Sequence, residues 1–199
     1  MRIVAGLGNP GSTYAETRHN IGFKVVEELA HRWQLALGRP NRGLRAAQGS
    51  IAGQPTLLVE PQLYMNLSGE ALARLDPPIS ARDLIVVHDD LDLECGRLRV
   101  KCGGGTAGHH GVESIVNHFG PDFTRVRVGV GRGRRETDTV DHVLSSFDSD
   151  ELAVVAAAVT NAADAIECIL SEGEMRAMNR FNTRPHGSPA AGPAPMGRE

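Results

Sequence analysis

Apolar positions along this chain change rhythm repeatedly. Arg2 to Leu7 is a nearly unbroken apolar run and reads as a short buried strand. From Ile21 the period becomes helical. Ile21, Val25, Val26, Leu29, Ala30 and Trp33 predict a helix over 21–35 with one buried stripe. Leu44 to Ile51 and Thr56 to Glu60 read as strands around the turn Ala52-Gly53-Gln54-Pro55. Asn66 to Leu75 predicts a short helix, stopped by Asp76-Pro77-Pro78. Leu84-Ile85-Val86-Val87 is a run of branched residues, the mark of a strand buried on both faces of a parallel sheet. Arg97 to Lys101 alternates basic and apolar residues, as a strand with one wet face does. Arg125 to Val130 alternates too, with Arg125, Arg127 and Gly129 on one side and Val126, Val128 and Val130 on the other. Residues 109–119 follow a glycine loop and read as a helix. Asp148 and Glu151 have the spacing of a capping box, opening a helix that runs to about Leu170. Its stripe is Leu152, Val155, Val159, Ile166 and Ile169. Gly173 breaks it, and 174–181 predicts a second short helix. Strands and helices interleave, so the fold class is α/β: a single domain over 1–182 with a twisted mixed, largely parallel sheet surrounded by helices. Residues 183–199 hold four prolines and three glycines and are expected to form a disordered tail.

Composition narrows the classes. The 199 residues are 41% hydrophobic and 23% charged, which excludes collagen-like, disulfide-scaffold and wholly disordered chains. No run of eighteen apolar residues occurs, so no membrane span is expected. Glycines and Pro10 interrupt the first strand before a signal-peptide core could form. Cys95, Cys102 and Cys168 are an odd set without CxxC spacing. Reduced thiols and a cytoplasmic location are the expectation.

The net charge of −3 hides an asymmetry. Residues 97–135 hold eight basic against two acidic side chains, and residues 136–174 hold ten acidic side chains and no Lys or Arg. A balanced total with one basic segment argues against general nucleic-acid coating and permits one localised phosphate contact. A solvated basic edge beside a solvated acidic helix produces the same numbers.

Gly6-Leu7-Gly8-Asn9-Pro10-Gly11 satisfies the literal dinucleotide fingerprint, but helical periodicity starts only near Ile21 and no acid ends a second strand. A glycine-rich turn at a strand end is the plainer reading, with Asn9 offering a donor and an acceptor. His19-Asn20 precedes the amphipathic helix. The positive end of a helix dipole favours an uncharged imidazole, which can accept a proton. Alternatively Asn20 caps that helix and His19 is a bystander. His88-Asp89-Asp90-Leu91-Asp92 follows the most buried strand. An acid there can orient a histidine, or the acids can satisfy turn amides. His19, Asp89, Asp92 and His109 form a conceivable metal set, but no histidine pair has a common zinc spacing. Gly103 to Gly111 is glycine-rich without a Walker signature. Lys101 before it and Arg127 on a later strand could hold one phosphate together. Tyr64-Met65-Asn66 opens the short helix, with Asn66 either an N-cap or an amide facing a cleft.

The order of these blocks resembles one family. Gly6 to Gly11, Tyr14 and Thr17-Arg18-His19-Asn20-Ile21-Gly22 resemble the first block of the bacterial peptidyl-tRNA hydrolases. Tyr64 to Gly69, His88 to Asp92, Lys101 to Gly105 and Arg125 to Gly131 resemble four more. The resemblance covers residues 1 to about 182. It implies hydrolysis of the ester joining a peptide to the 3′ ribose of tRNA, by a cytoplasmic monomer with no cofactor, no metal, no membrane and no obligate protein partner. It implies His19 as general base and Asp89 as its orienter. Asn9 and Asn66 would bind the peptide main chain. Tyr14, Tyr64, Met65 and His110 would contact substrate, and Lys101 and Arg127 would clamp the tRNA 5′ phosphate. The acids of 136–174 would then point away from bound tRNA. His109-His110-Gly111 departs from the family's usual His-Asn-Gly. A non-catalytic RNA-binding relative is the alternative, and it need not keep both His19 and Asp89.

Overall fold

The apolar run at 84–87 lies in the middle of the sheet. In the computed structural model, which describes residues 1–132 and 139–183, it belongs to β4 (Leu84–Asp90), and all seven of its residues are buried. Its neighbours are β1 (Arg2–Gly6) and β6 (Thr124–Gly129), both parallel to it. β3 (Gln54–Pro61) lies parallel on the far side of β1. The edges are antiparallel: β2 (Leu44–Ile51) on β3, and β5 (Leu98–Cys102) on β6. The order is β2-β3-β1-β4-β6-β5, the mixed and largely parallel sheet expected.

Helices cover both faces. α1 (Ile21–Arg32), α5 (Leu152–Glu172) and α6 (Glu174–Phe181) pack on the face that carries Val4, Ile85, Val87 and Val126. α2 (Ser68–Leu72) and α3 (His110–Phe119) pack on the face that carries Ile3, Ala5, Leu84 and Val86. Alternate residues of the central strands thus enter different cores, which is why β1 and β4 read as continuous apolar runs. α5 is long and apolar enough to cross a membrane, yet Val155, Ala158, Ala162, Ile166 and Ile169 are buried in the core. Arg32 holds its Asp164 at 2.7 Å.

Several predicted boundaries shift. The first helix ends at Arg32, and Trp33 is 36% exposed, its indole N–H donating to Glu167 (2.9 Å). The hairpin turn tightens to Ala52-Gly53, both with positive φ, the two-residue turn that matches strand twist. The segment from Asn66 begins instead as a 3-10 turn at Met65–Leu67, which runs into α2. Arg125 is not on a wet face: it is buried, donating to the carbonyls of Gly104 and Gly105 (both 2.6 Å) and lying over the Phe123 ring. Leu152 is exposed, because α5 begins beyond the edge of the sheet core. α4 (Thr139–Val143) was not anticipated, since five residues are too few to show a period. Of the expected tail, residues 184–199 lie outside the described residues.

Both outer strands carry an extra partner. Asn182, just past α6, accepts from Val100 N–H (2.7 Å) and donates to Val100 C=O (2.8 Å) on β5. Gly38 N–H donates to Ala46 C=O on β2 (3.0 Å).

Candidate active site

From β1 the chain first builds β2 and β3 on one side, then returns to build β4 on the other. The carboxyl ends of β1 and β4 are therefore adjacent at a point where the direction of winding reverses, the place where open α/β sheets bind ligands. A cleft of about 580 Å³ opens there, the size of a small-ligand site.

Two glycines bring the first helix to this point. A Cβ on Gly22 would stand 2.3 Å from the Leu7 nitrogen and 2.5 Å from the Val87 carbonyl oxygen. One on Gly6 would stand 2.2 Å from the Gly22 carbonyl oxygen. Only glycine permits such an approach. Gly8 faces the Phe23 ring in the same way. Gly6 and Gly8 of the fingerprint-like segment thus make room for α1, not for a pyrophosphate.

The 3-10 turn Arg18–Asn20 precedes α1 and directs three side chains to three segments. Asn20 does not cap the helix. Its amide pairs with the main chain of Asn9, accepting from N–H and donating to C=O, both at 2.9 Å. The Asn9 side chain accepts from Met65 N–H (2.8 Å). A backbone N–H only donates, so the Asn9 atom facing it is oxygen, and Nδ2 remains a donor on the cleft side.

His19 Nδ1 lies 2.8 Å from Asp89 Oδ1, and His109 Nε2 lies 2.9 Å from the same oxygen. The surroundings fix both tautomers. His109 precedes α3, and its Nδ1 accepts from the N–H groups of Gly111 (3.1 Å) and Val112 (3.3 Å). Its proton therefore sits on Nε2 and points at Asp89. Asp89 is ionised: burial would raise its pKa, but His109 and then His19 outweigh that and hold it well below the usual carboxylate range. A carboxylate accepts, so His19 donates through Nδ1 and leaves the Nε2 lone pair free. Nε2 has no hydrogen-bond partner among the described residues. His109 has its lone pair occupied by two amides. Of the two rings, only His19 is arranged to take a proton.

The three groups lie close enough to be considered as metal ligands. The donor set opposes it. A metal would need the lone pair of His109 Nε2, forcing its proton onto Nδ1 against two N–H donors. Asp92, the fourth member of the conceivable set, pairs instead with Arg132.

Asn9, His19, Met65, Asp89 and His110 line one cleft. His110 is exposed at the start of α3, its Nδ1 3.7 Å from Glu113. Tyr64 and Asn66 flank Met65 in the chain and are exposed, outside the lining. Tyr14 is half-buried and also outside it. Lys101 and Arg127 lie on neighbouring strands on one sheet face, away from the cleft lining. Arg127 is ion-paired to Asp90, and the Lys101 ammonium lies over Gly104. The acids that end β4 divide their work. Asp89 serves the histidines, while Asp90 accepts from Asp92 N–H (2.9 Å) and from Arg127.

His109 was named only within the metal set. The signal that marks it is position: a histidine just before a helix start can spend one nitrogen on the first amides. Val140 and Val143 of α4 and Leu144 just after it add an apolar wall. Arg18 carried no signal, since burial of an arginine is not legible from its neighbours.

The comparisons with known proteins point to one family. The family described as Peptidyl-tRNA hydrolase matches residues 3–189. The peptidyl-tRNA hydrolase of Chloroflexus aggregans is 45% identical over 189 residues, covering 92% of this chain and 99% of its own. That of Bacillus subtilis is 40% identical over 187 residues, covering 92% of this chain and 100% of its own. The crystal structure of peptidyl-tRNA hydrolase from Acinetobacter baumannii superposes with a TM-score of 0.84 at 36% identity, covering 92% of this chain and 94% of that one. Sequence and fold agree over nearly the whole length, and the chain belongs to the peptidyl-tRNA hydrolase family.

Proposed function

We propose that the chain releases peptide and tRNA from peptidyl-tRNA by ester hydrolysis, with His19 as general base. The observation that carries this assignment is the single Asp89 oxygen that accepts from both histidines and leaves His19 Nε2 as the one open lone pair. In the reaction, water gives a proton to His19 Nε2 as its oxygen attacks the ester carbonyl carbon. Asp89 holds the ring and stabilises the imidazolium. The Asn9 amide donates toward the peptide main chain or the developing oxyanion. The bond from the carbonyl carbon to the ribose 3′ oxygen then breaks, and that oxygen leaves with the proton from His19. Asn66, Tyr14, Tyr64, Met65 and His110 bind the peptide and the tRNA end. Lys101 and Arg127 bind the tRNA 5′ phosphate, outside the cleft where the acceptor stem runs. The protein acts as a cytoplasmic monomer without metal, cofactor or membrane contact.

The test is hydrolysis of an N-blocked aminoacyl-tRNA with chelator present. Wild type should release tRNA, and His19→Ala should lose about 10²- to 10⁴-fold in kcat, the usual worth of a positioned base. A folded wild type that binds tRNA and releases nothing would favour the RNA-binding alternative. Loss of wild-type activity in chelator would establish a metal.

A further inference from the structure

Arg18, the residue before His19, is 3% exposed. A buried guanidinium is costly unless its donors are met. Here Nη1 and Nη2 find acceptors in one stretch more than 120 residues away, while Nε has none among the described residues. Nη1 donates to Ser145 Oγ at 2.8 Å and to the Ser146 carbonyl. Nη2 donates to Glu151 at 2.5 Å, with Asp148 at 3.8 Å. The guanidinium lies 5.0 Å over the Phe147 ring. The main chain joins in: Arg18 N–H donates to Ser145 C=O (3.0 Å), and Thr17 bridges to Ser146.

Residues 144–151 connect α4 to α5, and Val140 and Val143 of α4 with Leu144 just after it form the wall. At its other side α4 is tied by His142 Nε2, which donates to Val130 C=O (3.2 Å). Arg18 is thus one of the anchors of the wall, and it is the residue adjacent to the base. Arg18 contributes nothing to the cleft lining itself.

We propose that Arg18 is a positioning residue: it fixes the spacing between the α4 wall and the His19–Asp89 pair, and through the wall it sets how a bulky apolar residue at the scissile ester is seated. This rests on the cleft being the seat of the peptide end of the substrate. A lysine keeps the charge but cannot replace the planar fork, since one nitrogen cannot meet Ser145, Ser146 and Glu151 while lying flat on Phe147.

The experiment uses Arg18→Lys in the full chain with two readouts. Hydrogen exchange by mass spectrometry should quicken about tenfold in peptides within 139–151, with α1 and α3 unchanged. With N-blocked leucyl-tRNA and glycyl-tRNA as substrates, KM should rise about tenfold for the leucyl ester and stay within about twofold for the glycyl ester. The pH dependence of kcat should not move, because His19 and Asp89 keep their contact. General destabilisation would lower both substrates alike and leave KM unchanged. Equal effects on the two esters, or unchanged exchange in 139–151, would overturn the proposal. Glu151→Gln removes the charge of one partner and keeps an acceptor, so it should act in the same direction and more weakly. It decides the matter if Arg18→Lys does not fold. Wild-type activity that survives His19→Ala would instead sink the assignment of the base, and the exchange result would still report on Arg18.

Discussion

Arg18, His19 and Asn20 each reach a different segment, and the partners of Arg18 and Asn20 cannot be read from the chain. The blocks that carry them were legible, because histidine beside asparagine before a helix start is an unusual setting. The pairing of His19 with Asp89 is implied by the family resemblance, whereas the residues alone leave Asp89 either orienting a histidine or satisfying turn amides. What was hidden is the sharing of one oxygen by two rings. That depends on the beginning of α3 meeting the end of β4, a tertiary contact with no local trace. His88 shows the same limit. Its ring is fully buried; Nδ1 donates to the Asp89 carbonyl (2.7 Å), and Nε2 is buried without a partner. Burial first, then the neighbouring His109, pushes its pKa from 6.5 down to about 3, against the pull of Asp89. The unfolded chain therefore binds a proton that the folded chain refuses. Stability from this group is complete above pH 6.5 and falls as the pH drops toward 3, by up to about 1.4 kcal/mol per unit. Asp89 adds its own loss only below its ordinary 3.8. Denaturant unfolding at pH 7, 6, 5 and 4 should show a shallower slope for His88→Asn, whose amide can keep the bond to Asp89. Equal slopes would remove His88 from the account.

At the scale of elements, periodicity was a good guide wherever an element lay over the core. α1, α3, α6 and all six strands stand close to where their patterns put them. Errors fell where tertiary contact overrides pattern. Arg125 alternates like a surface residue, yet two glycine carbonyls and the Phe123 ring make an interior place for it. Leu152 keeps the period of α5 but extends past the sheet. The meeting of α1 with the strand ends is the most exacting contact. Helix propensity alone favours alanine over glycine by about 1 kcal/mol. At position 22 sterics should win, because the new Cβ would meet backbone atoms at 2.3 and 2.5 Å that cannot swing away. Gly22→Ala should cost about 1–3 kcal/mol of stability. The fraction that still folds should hydrolyse more slowly, as His19 is carried off with the helix. A variant as stable and active as wild type would show that α1 can shift without consequence.

Among the described residues, most acids of the acidic segment are paired with arginines. Asp148, Glu151, Asp164, Glu167, Glu172 and Glu174 each face an arginine, and three of those arginines, Arg2, Arg18 and Arg32, come from the first strand, the 3-10 turn and the first helix. The acidic segment is thus mostly internal bookkeeping of the fold. In the basic segment Arg127 and Arg132 are paired with acids, whereas Lys101 is exposed at the edge with no acidic partner among the described residues. Lys101→Ala should weaken use of tRNA esters and lower the salt slope of log KM by roughly one, the share of one phosphate contact, with small-ester cleavage intact. Equal loss on both substrates would argue against a clamp. Arg127→Ala is the less clean probe, because it also strands Asp90.

The amide of Asn182 imitates a strand partner on β5, as the Gly38 amide does on β2. A strand edge interrupted in this way offers a poorer template for another chain, and exposed strand edges are a common route to unwanted assembly. Seen this way, the residue that ends the last helix is a stopper. Asn182→Ala should leave the cleft and its chemistry untouched while opening β5 to self-pairing. Sedimentation of the variant should become concentration-dependent where that of the wild type does not, and identical behaviour of the two would show that α6 alone keeps the edge closed.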